Sequence, residues 1–205
     1  MPNLACGIDF GTTNSSVAVC EDGVPRVLEL DSANDAPTSL PSLVYITRDG
    51  EIVVGRAAAN AFIERNVDRE IILDRVDLGI DIEAYVGSEP DKSESYRPPE
   101  PDMEVREAVR ASAMVEVNAP GRLFQSLKSL LRFKSFKTTE VFGERYQIEE
   151  LTAMILRPMK RAADAVAGAP VKQAVFGRPV RFSTRPDEDA VAEQRLRVAA
   201  QLAGF

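Results

Sequence analysis

The chain has 205 residues, 44% of them hydrophobic, which is enough to bury the core of one domain or two small ones. Its net charge of −7 disfavours nucleic acid and anionic membranes as partners, since both reward clustered Lys and Arg. The chain contains no histidine, which excludes a His-based triad, a His metal site and a His-Arg-Asp kinase loop. Because no apolar run is long enough to cross a bilayer, we expect a cytoplasmic protein.

The first thirty residues are predicted to form an antiparallel meander. Apolar runs at 4–10 and 15–20 indicate two strands, and alternation of polar and apolar residues over 26–30 indicates a third. Asp22-Gly23, between the second and third strands, is the dipeptide typical of tight hairpins.

The next segments are predicted to form an insert of mixed structure. Residues 38–46 resemble a loop entering a strand, and the alanine-rich segment 56–66 favours a helix. The stretch 87–102 contains four prolines and almost no apolar residue, so we expect an exposed, mobile loop there. A strand at 111–117 is expected to follow it.

The second half is predicted to be mainly helical. Helical spacing of apolar residues indicates helices at 123–133, 149–167 and 187–203, with Gly168 ending the second. A hairpin or strand at 141–147 and a buried strand at 171–176 complete the pattern. The order of elements indicates an α/β fold in which helices cover a mixed sheet.

The turn between the first two strands is the candidate site. Gly11 allows close approach of the backbone to a phosphate, and the hydroxyls of Thr12 and Thr13 add donors. Asp9, at the end of a strand, can hold magnesium through its water shell. The same residue types also serve ordinary hairpin turns, so this stretch by itself leaves both interpretations open.

Residues Gly7–Ser15 resemble, almost letter for letter, the first phosphate motif of the DnaK-type seventy-kilodalton heat-shock proteins, which belong to the actin-like ATPase superfamily. The similarity continues in order through further segments, whereas 67–120 matches poorly. These segments are 40–44, 54–58, 149–156, 174–180 and 201–205. The Gly177-Arg178-Pro179 ending and the irregular middle look closest to the shorter YegD-like relatives.

The resemblance implies an actin-like ATPase lobe of ribonuclease-H-like fold. Its base subdomain would comprise 1–37 and 121–205, and an inserted α+β subdomain would comprise 38–120 with the mobile loop 87–102. ATP or ADP and magnesium are the implied ligands. The implied site residues are Asp9 and Thr13 for catalysis, Gly11, Thr12, Thr13 and Asn14 for the nucleotide, and Asp9 for Mg²⁺ through water.

The resemblance also implies partners. They would be a second ATPase lobe, co-chaperones and client proteins, with no nucleic acid and no membrane. The chain ends at Phe205, before the stretch in which the family has its second lobe, so we expect one lobe of a longer ATPase that is inactive alone. Two alternatives remain: a lobe of a sugar or acyl kinase of the same superfamily, and a non-catalytic nucleotide-binding module.

One position departs from the family pattern. The resemblance implies a lysine near the γ-phosphate at the position that Ala59 occupies here, so we expect slow hydrolysis. Lys128 is a weak candidate to replace that lysine. It belongs to the stretch 122–137, which has five basic residues and no acidic one, and this pattern favours a solvated helix face.

Overall fold

The computed structural model describes residues 4–85, 106–177 and 181–205. The chain divides into two compact units, one comprising Met1–Arg69 and Pro120–Phe205 and the other Glu70–Ala119. The predicted mobile loop 87–102 lies outside the described residues.

The described parts of the chain begin with six strands, and helices are interspersed with the strands that follow. The strands are β1 (Leu4–Phe10), β2 (Asn14–Glu21), β3 (Val24–Val27), β4 (Leu40–Pro41), β5 (Val44–Thr47), β6 (Ile52–Val54), β7 (Leu73–Tyr85), β8 (Arg106–Glu116), β9 (Gly121–Phe124), β10 (Thr138–Val141), β11 (Glu144–Gln147) and β12 (Val175–Gly177). The helices are α1 (Arg56–Asn66), α2 (Leu127–Leu130), α3 (Ile148–Ala167) and α4 (Pro186–Ala203).

The main sheet of the first unit is mixed, as predicted. Strand β1 pairs antiparallel with β2 and parallel with β12, and β2 also pairs antiparallel with β3 and β4. Asp22 and Gly23 both have positive φ, 50° and 84°, as the predicted tight turn requires. The third strand begins and ends earlier in the chain than the predicted 26–30.

Three of the helices follow from local sequence signals. Helix α1 has the predicted bounds, and its first N–H, from Arg56, donates to the Asp31 carboxylate at 2.7 Å. Helix α3 begins with a capping box in which Glu150 accepts the Gln147 N–H, and it ends at Gly168 in the left-handed conformation. Helix α4 begins with Pro186, which favours the first helical turn.

Helix α3 fills the core of the first unit. It packs on α4 and on β1 and β2 of the main sheet. Apolar side chains from strands and helices form one continuous buried cluster, whose most enclosed members include Phe10, Val17, Val44, Leu131, Leu151, Ile155, Met159, Ala192 and Ala199. This cluster fixes the sheet beneath the turn between β1 and β2.

Two predictions in the second half are wrong. The segment 123–133 is not one helix: Gly121–Phe124 pairs with β5 as a strand, and Ser126 in the left-handed conformation separates it from the short α2. The segment 171–176, predicted as a buried strand, is a strand only from Val175 onward, as part of β12. It is largely exposed, with Val175 at 75%, because β12 pairs with β1 at the edge of the described sheet.

The second unit is a long antiparallel hairpin of β7 and β8. The strand predicted at 111–117 corresponds to the end of β8, whereas β7 was not predicted. Arg110 of β8 donates to the Asp77 carboxylate of β7 at 3.0 Å, and Asn118 links the two ends of the unit through bonds to Ile72 and Glu70.

Candidate functional site

The turn between β1 and β2 is held by a closed ring of hydrogen bonds. The Gly11 N–H donates to Ser15 Oγ at 3.2 Å, and the Ser42 hydroxyl donates to the Gly11 carbonyl at 3.0 Å. The two serine hydroxyls lie 2.9 Å apart. Since the Ser42 proton is used on Gly11, Ser15 donates to Ser42 and the ring closes.

Both serines of this ring are buried, at 2% and 1% exposure, so water does not compete for their hydrogen bonds. Two further ties hold the turn: strand β4 pairs with Asn14 and Ser15, and the N–H of Ser42, which follows β4, donates to the Thr13 carbonyl at 2.7 Å. The turn is therefore fixed to the sheet from both of its flanks.

Glycine is sterically required at position 11. A Cβ built there would overlap the carbonyl oxygen of Asn14, which is backbone and cannot rotate away. The turn thus closes tightly enough to leave no room for a side chain. Beyond the ring, the side chains of Thr12, Thr13 and Asn14 are exposed.

Asp9 lies at the end of β1, beside this turn. Its residue is exposed and pairs with Ser16 of β2 on one side and Gly177 of β12 on the other. The neighbouring Gly177 has no side chain, and a Cβ built there would lie 3.9 Å from Asp9 Oδ1. The carboxylate is therefore uncovered on this side.

Lys128 of α2 lies within electrostatic range of Asp9. Burial lowers the pKa of the Lys128 amine, and the Asp9 carboxylate opposes this shift because it favours the charged form. The run of basic residues predicts a solvated helix face for Lys128, whereas in the structure this residue is half-buried.

A small cavity of about 180 Å³ adjoins the turn. It is lined by Thr12, Lys128, Ser129, Arg132, Arg181 and Phe182. A larger cavity of about 770 Å³, lined mainly by residues 172–176 and by α4, includes none of the predicted site residues.

The predicted site residues occupy one continuous stretch, and the structure brings two more segments to it. Ser42 reaches the turn from 31 residues away along the chain, and α2 contributes Lys128 to the cavity beside Thr12. The sequence did not identify Ser15 and Ser42 as members of the hydrogen-bond ring, or Arg132 and Arg181 as residues that line the cavity. The available signals were the resemblances of Gly7–Ser15 and of 40–44 to the family.

Ala59 lies in the first half of α1, half-buried, where its N–H donates to the Gly55 carbonyl at 3.4 Å. The start of α1 is fixed by Gly55, since a Cβ there would collide with Asp31 and Leu40. An alanine side chain offers no charge or hydrogen-bonding group to a ligand.

The donors at the turn fit a magnesium nucleotide. Mg²⁺ keeps several waters and is held by one or two carboxylates together with phosphates, which suits the single uncovered carboxylate of Asp9. Among the described residues, no group of three or more His, Cys, Asp or Glu side chains is arranged to hold a metal ion directly.

No helix in the described part of the chain is both long and apolar enough to span a membrane.

The structure has a mixed sheet covered by helices and a tight glycine-containing turn after an aspartate-bearing first strand, and the actin-like ATPase lobe to which these features belong is implied by the family that the chain matches. The family model described as Hsp70 protein matches residues 5–205. The chain belongs to the Hsp70 family, whose members are nucleotide-binding chaperone ATPases that work with co-chaperones and clients.

Proposed function

We propose that this chain supplies the phosphate- and magnesium-binding turn of its ATPase, and that the complete protein binds ATP or ADP and hydrolyses ATP slowly. The observation that carries the proposal is the uncovered carboxylate of Asp9 beside a turn closed by the Ser15–Ser42 ring. Membership in the Hsp70 family supports it.

The exposed groups of the turn would contact the phosphates. The hydroxyls of Thr12 and Thr13 and the amide of Asn14 can donate to phosphate oxygens. Because the hydrogen-bond ring fixes the backbone at Gly11, these donors need little reorganisation on binding, which is the condition for effective electrostatic stabilisation. Thr13 would also orient the phosphate that is transferred.

Asp9 would hold the metal. Its carboxylate would accept hydrogen bonds from the water shell of Mg²⁺ and so place the ion beside the phosphates. When bound, Mg²⁺ supplies charge neutralisation during phosphoryl transfer. We attribute slow turnover to Ala59, which leaves the position of the family's lysine without a charge.

The test is Mg-ATP binding by the full-length gene product, measured by calorimetry with and without EDTA. Wild-type protein should bind ATP more tightly with magnesium, and Asp9→Asn should remove most of that difference. Asp22→Asn is the matched control, because Asp22 is an exposed acid in the turn between β2 and β3, at the opposite end of β2 from the candidate site. An Asp9→Asn protein that keeps its full magnesium dependence would refute the assignment.

A further inference from the structure

The hairpin of the second unit has one apolar face. Cross-strand partners share a face of a two-stranded sheet, and successive residues alternate between the two faces. The pairing of Val76 with Ala113 and of Ile82 with Val109 therefore places these residues on one face, together with Val115 of β8. The four large side chains of this apolar face, those of Val76, Ile82, Val109 and Val115, are 40–49% exposed.

The opposite face is polar and pairs its own charges. Arg110 donates to the Asp77 carboxylate at 3.0 Å and to the Asp81 carboxylate at 3.4 Å, so one arginine links two acids of β7. Met114, the neighbour of Val115 in β8, also belongs to this face and is 58% exposed. The hairpin is therefore amphipathic.

An amphipathic hairpin of two strands requires a further layer. Two strands by themselves are marginally stable in water, and packing against a helix is one way in which they become stable. Contiguous exposed apolar side chains on a soluble protein indicate an interaction surface. The apolar face therefore indicates a partner that covers it.

The charge of the second unit restricts that partner. Residues 70–119 include thirteen acidic and five basic residues, a net charge of −8, whereas the whole chain carries −7. The described parts of the unit, 70–85 and 106–119, alone include seven acidic and three basic residues. Two copies of this unit would repel each other, and an anionic surface would be repelled as well. A complementary partner carries Lys and Arg beside its apolar residues.

The dimensions of the apolar face suit one helix. Neighbouring strands lie about 4.8 Å apart, so a single helix about 10 Å in diameter covers both strands. From Val109 to Val115 the face is roughly 20 Å long at 3.3 Å per residue, which a helix of about 14 residues spans at 1.5 Å per residue. A strand added at the edge of the hairpin would leave this face uncovered.

We propose that the apolar face of the β7–β8 hairpin binds a basic amphipathic helix of a partner protein. The apolar side of that helix packs on Val76, Ile82, Val109 and Val115, and its Lys and Arg residues meet the acidic residues of the unit. The nucleotide takes no part in this contact, so the inference is independent of the proposed function.

The first experiment uses a fluorescent peptide of about 18 residues with leucines on one helical face and lysines on the other. Its anisotropy is measured with the full-length gene product in the absence of nucleotide. It should bind roughly tenfold more tightly than two control peptides. One control has the same residues in an order that forms no apolar face, and the other has glutamate in place of lysine. Equal binding of either control would overturn the proposal.

The second experiment locates the binding site. The double variant Val109→Thr/Val115→Thr should bind the leucine–lysine peptide roughly tenfold more weakly, because threonine retains the β-branched shape and adds a polar hydroxyl to the apolar face. Met114→Thr is the matched control, since Met114 belongs to the polar face of the same strand, and it should bind as wild type does.

Hydrogen exchange shows whether each variant retains the hairpin and where the peptide binds. In the wild type, the peptide should slow exchange of the β7 and β8 amides, and the scrambled peptide should not. Absence of this protection, or wild-type affinity in a double variant that retains the hairpin, would overturn the proposal.

Sedimentation of the protein without peptide tests the alternative occupant of the face. Wild type and the double variant should have the same oligomeric state. A dimer that wild type forms and the double variant does not form would assign the apolar face to a second copy of the chain and overturn the proposal.

Discussion

Removal of the Ser42 hydroxyl should destabilise the fold at the candidate site. Ser42→Ala deletes two buried hydrogen bonds, of 3.0 Å to the Gly11 carbonyl and 2.9 Å to Ser15. Each bond contributes about 0.5–1.5 kcal/mol net, and the groups that lose their partner stay buried at further cost, so we expect a loss of about 2–3 kcal/mol. Urea unfolding followed by circular dichroism measures it.

The closed ring also predicts non-additivity. Ser15→Ala removes the same Ser15–Ser42 bond that Ser42→Ala removes. The double variant should therefore lose about 1 kcal/mol less stability than the sum of the losses in the two single variants. Ser16→Ala, at the next position of the same strand, is the control and should change stability by less than about 0.5 kcal/mol. A Ser42→Ala protein as stable as that control, or strictly additive serine variants, would refute the ring.

Three further predictions concern the same unit. Gly11→Ala should weaken ATP binding in calorimetry, because its Cβ overlaps the Asn14 carbonyl and the turn must open. Asp164→Asn should cost about 2–4 kcal/mol at pH 7, since Lys160, 7% exposed, loses its charged partner. Burial raises the pKa of Asp164, but hydrogen bonds, chiefly from Lys160, lower it overall. Ionised Asp164 therefore stabilises the folded state above about pH 4, and this stabilisation disappears as pH falls through the lowered pKa. Urea titrations should therefore show wild type and Asp164→Asn converging in acid. Ala59→Lys should raise single-turnover ATP hydrolysis by up to about a hundredfold with little change in nucleotide affinity.

Elements with strong local signals could be predicted from the sequence. Helix α1 has the predicted bounds, and α3 ends at Gly168 as expected, because helical periodicity and a left-handed cap act over a few residues. The first hairpin was predicted because two apolar runs flank a turn of suitable residues. In each case neighbouring residues determine the structure.

Local sequence signals give the wrong prediction where pairing with residues distant in the chain determines the structure of a segment. Leu123 and Phe124 have helical spacing with the leucines that follow, yet β5 pairs with them and makes them a strand. Tertiary context overrides local preference at such positions. Strand β7 is a different case, because its apolar residues alternate with polar ones, which is a strand signal that the prediction did not use.

The same distinction applies to the candidate site. The stretch from Asp9 to Asn14 was recognisable because its chemistry is contiguous in sequence. The serine ring and the small cavity beside Thr12 were not, since they join segments that only the fold brings together: Ser42 to Gly11, and Arg181 to Thr12. Lys128 was interpreted as solvated because five basic residues in one stretch usually face water.

Ala59 and Lys128 bear on one electrostatic question, which is where positive charge meets the phosphates. If Lys128 supplies part of that charge, the two positions are coupled through a common ligand, and their effects on turnover should not add. Ala59→Lys should then accelerate hydrolysis more in a Lys128→Met background than in wild type, because the first charge added relieves the larger deficit. Equal acceleration in both backgrounds would mean that the two positions act on the phosphates independently. Slow hydrolysis would then follow from Ala59 alone.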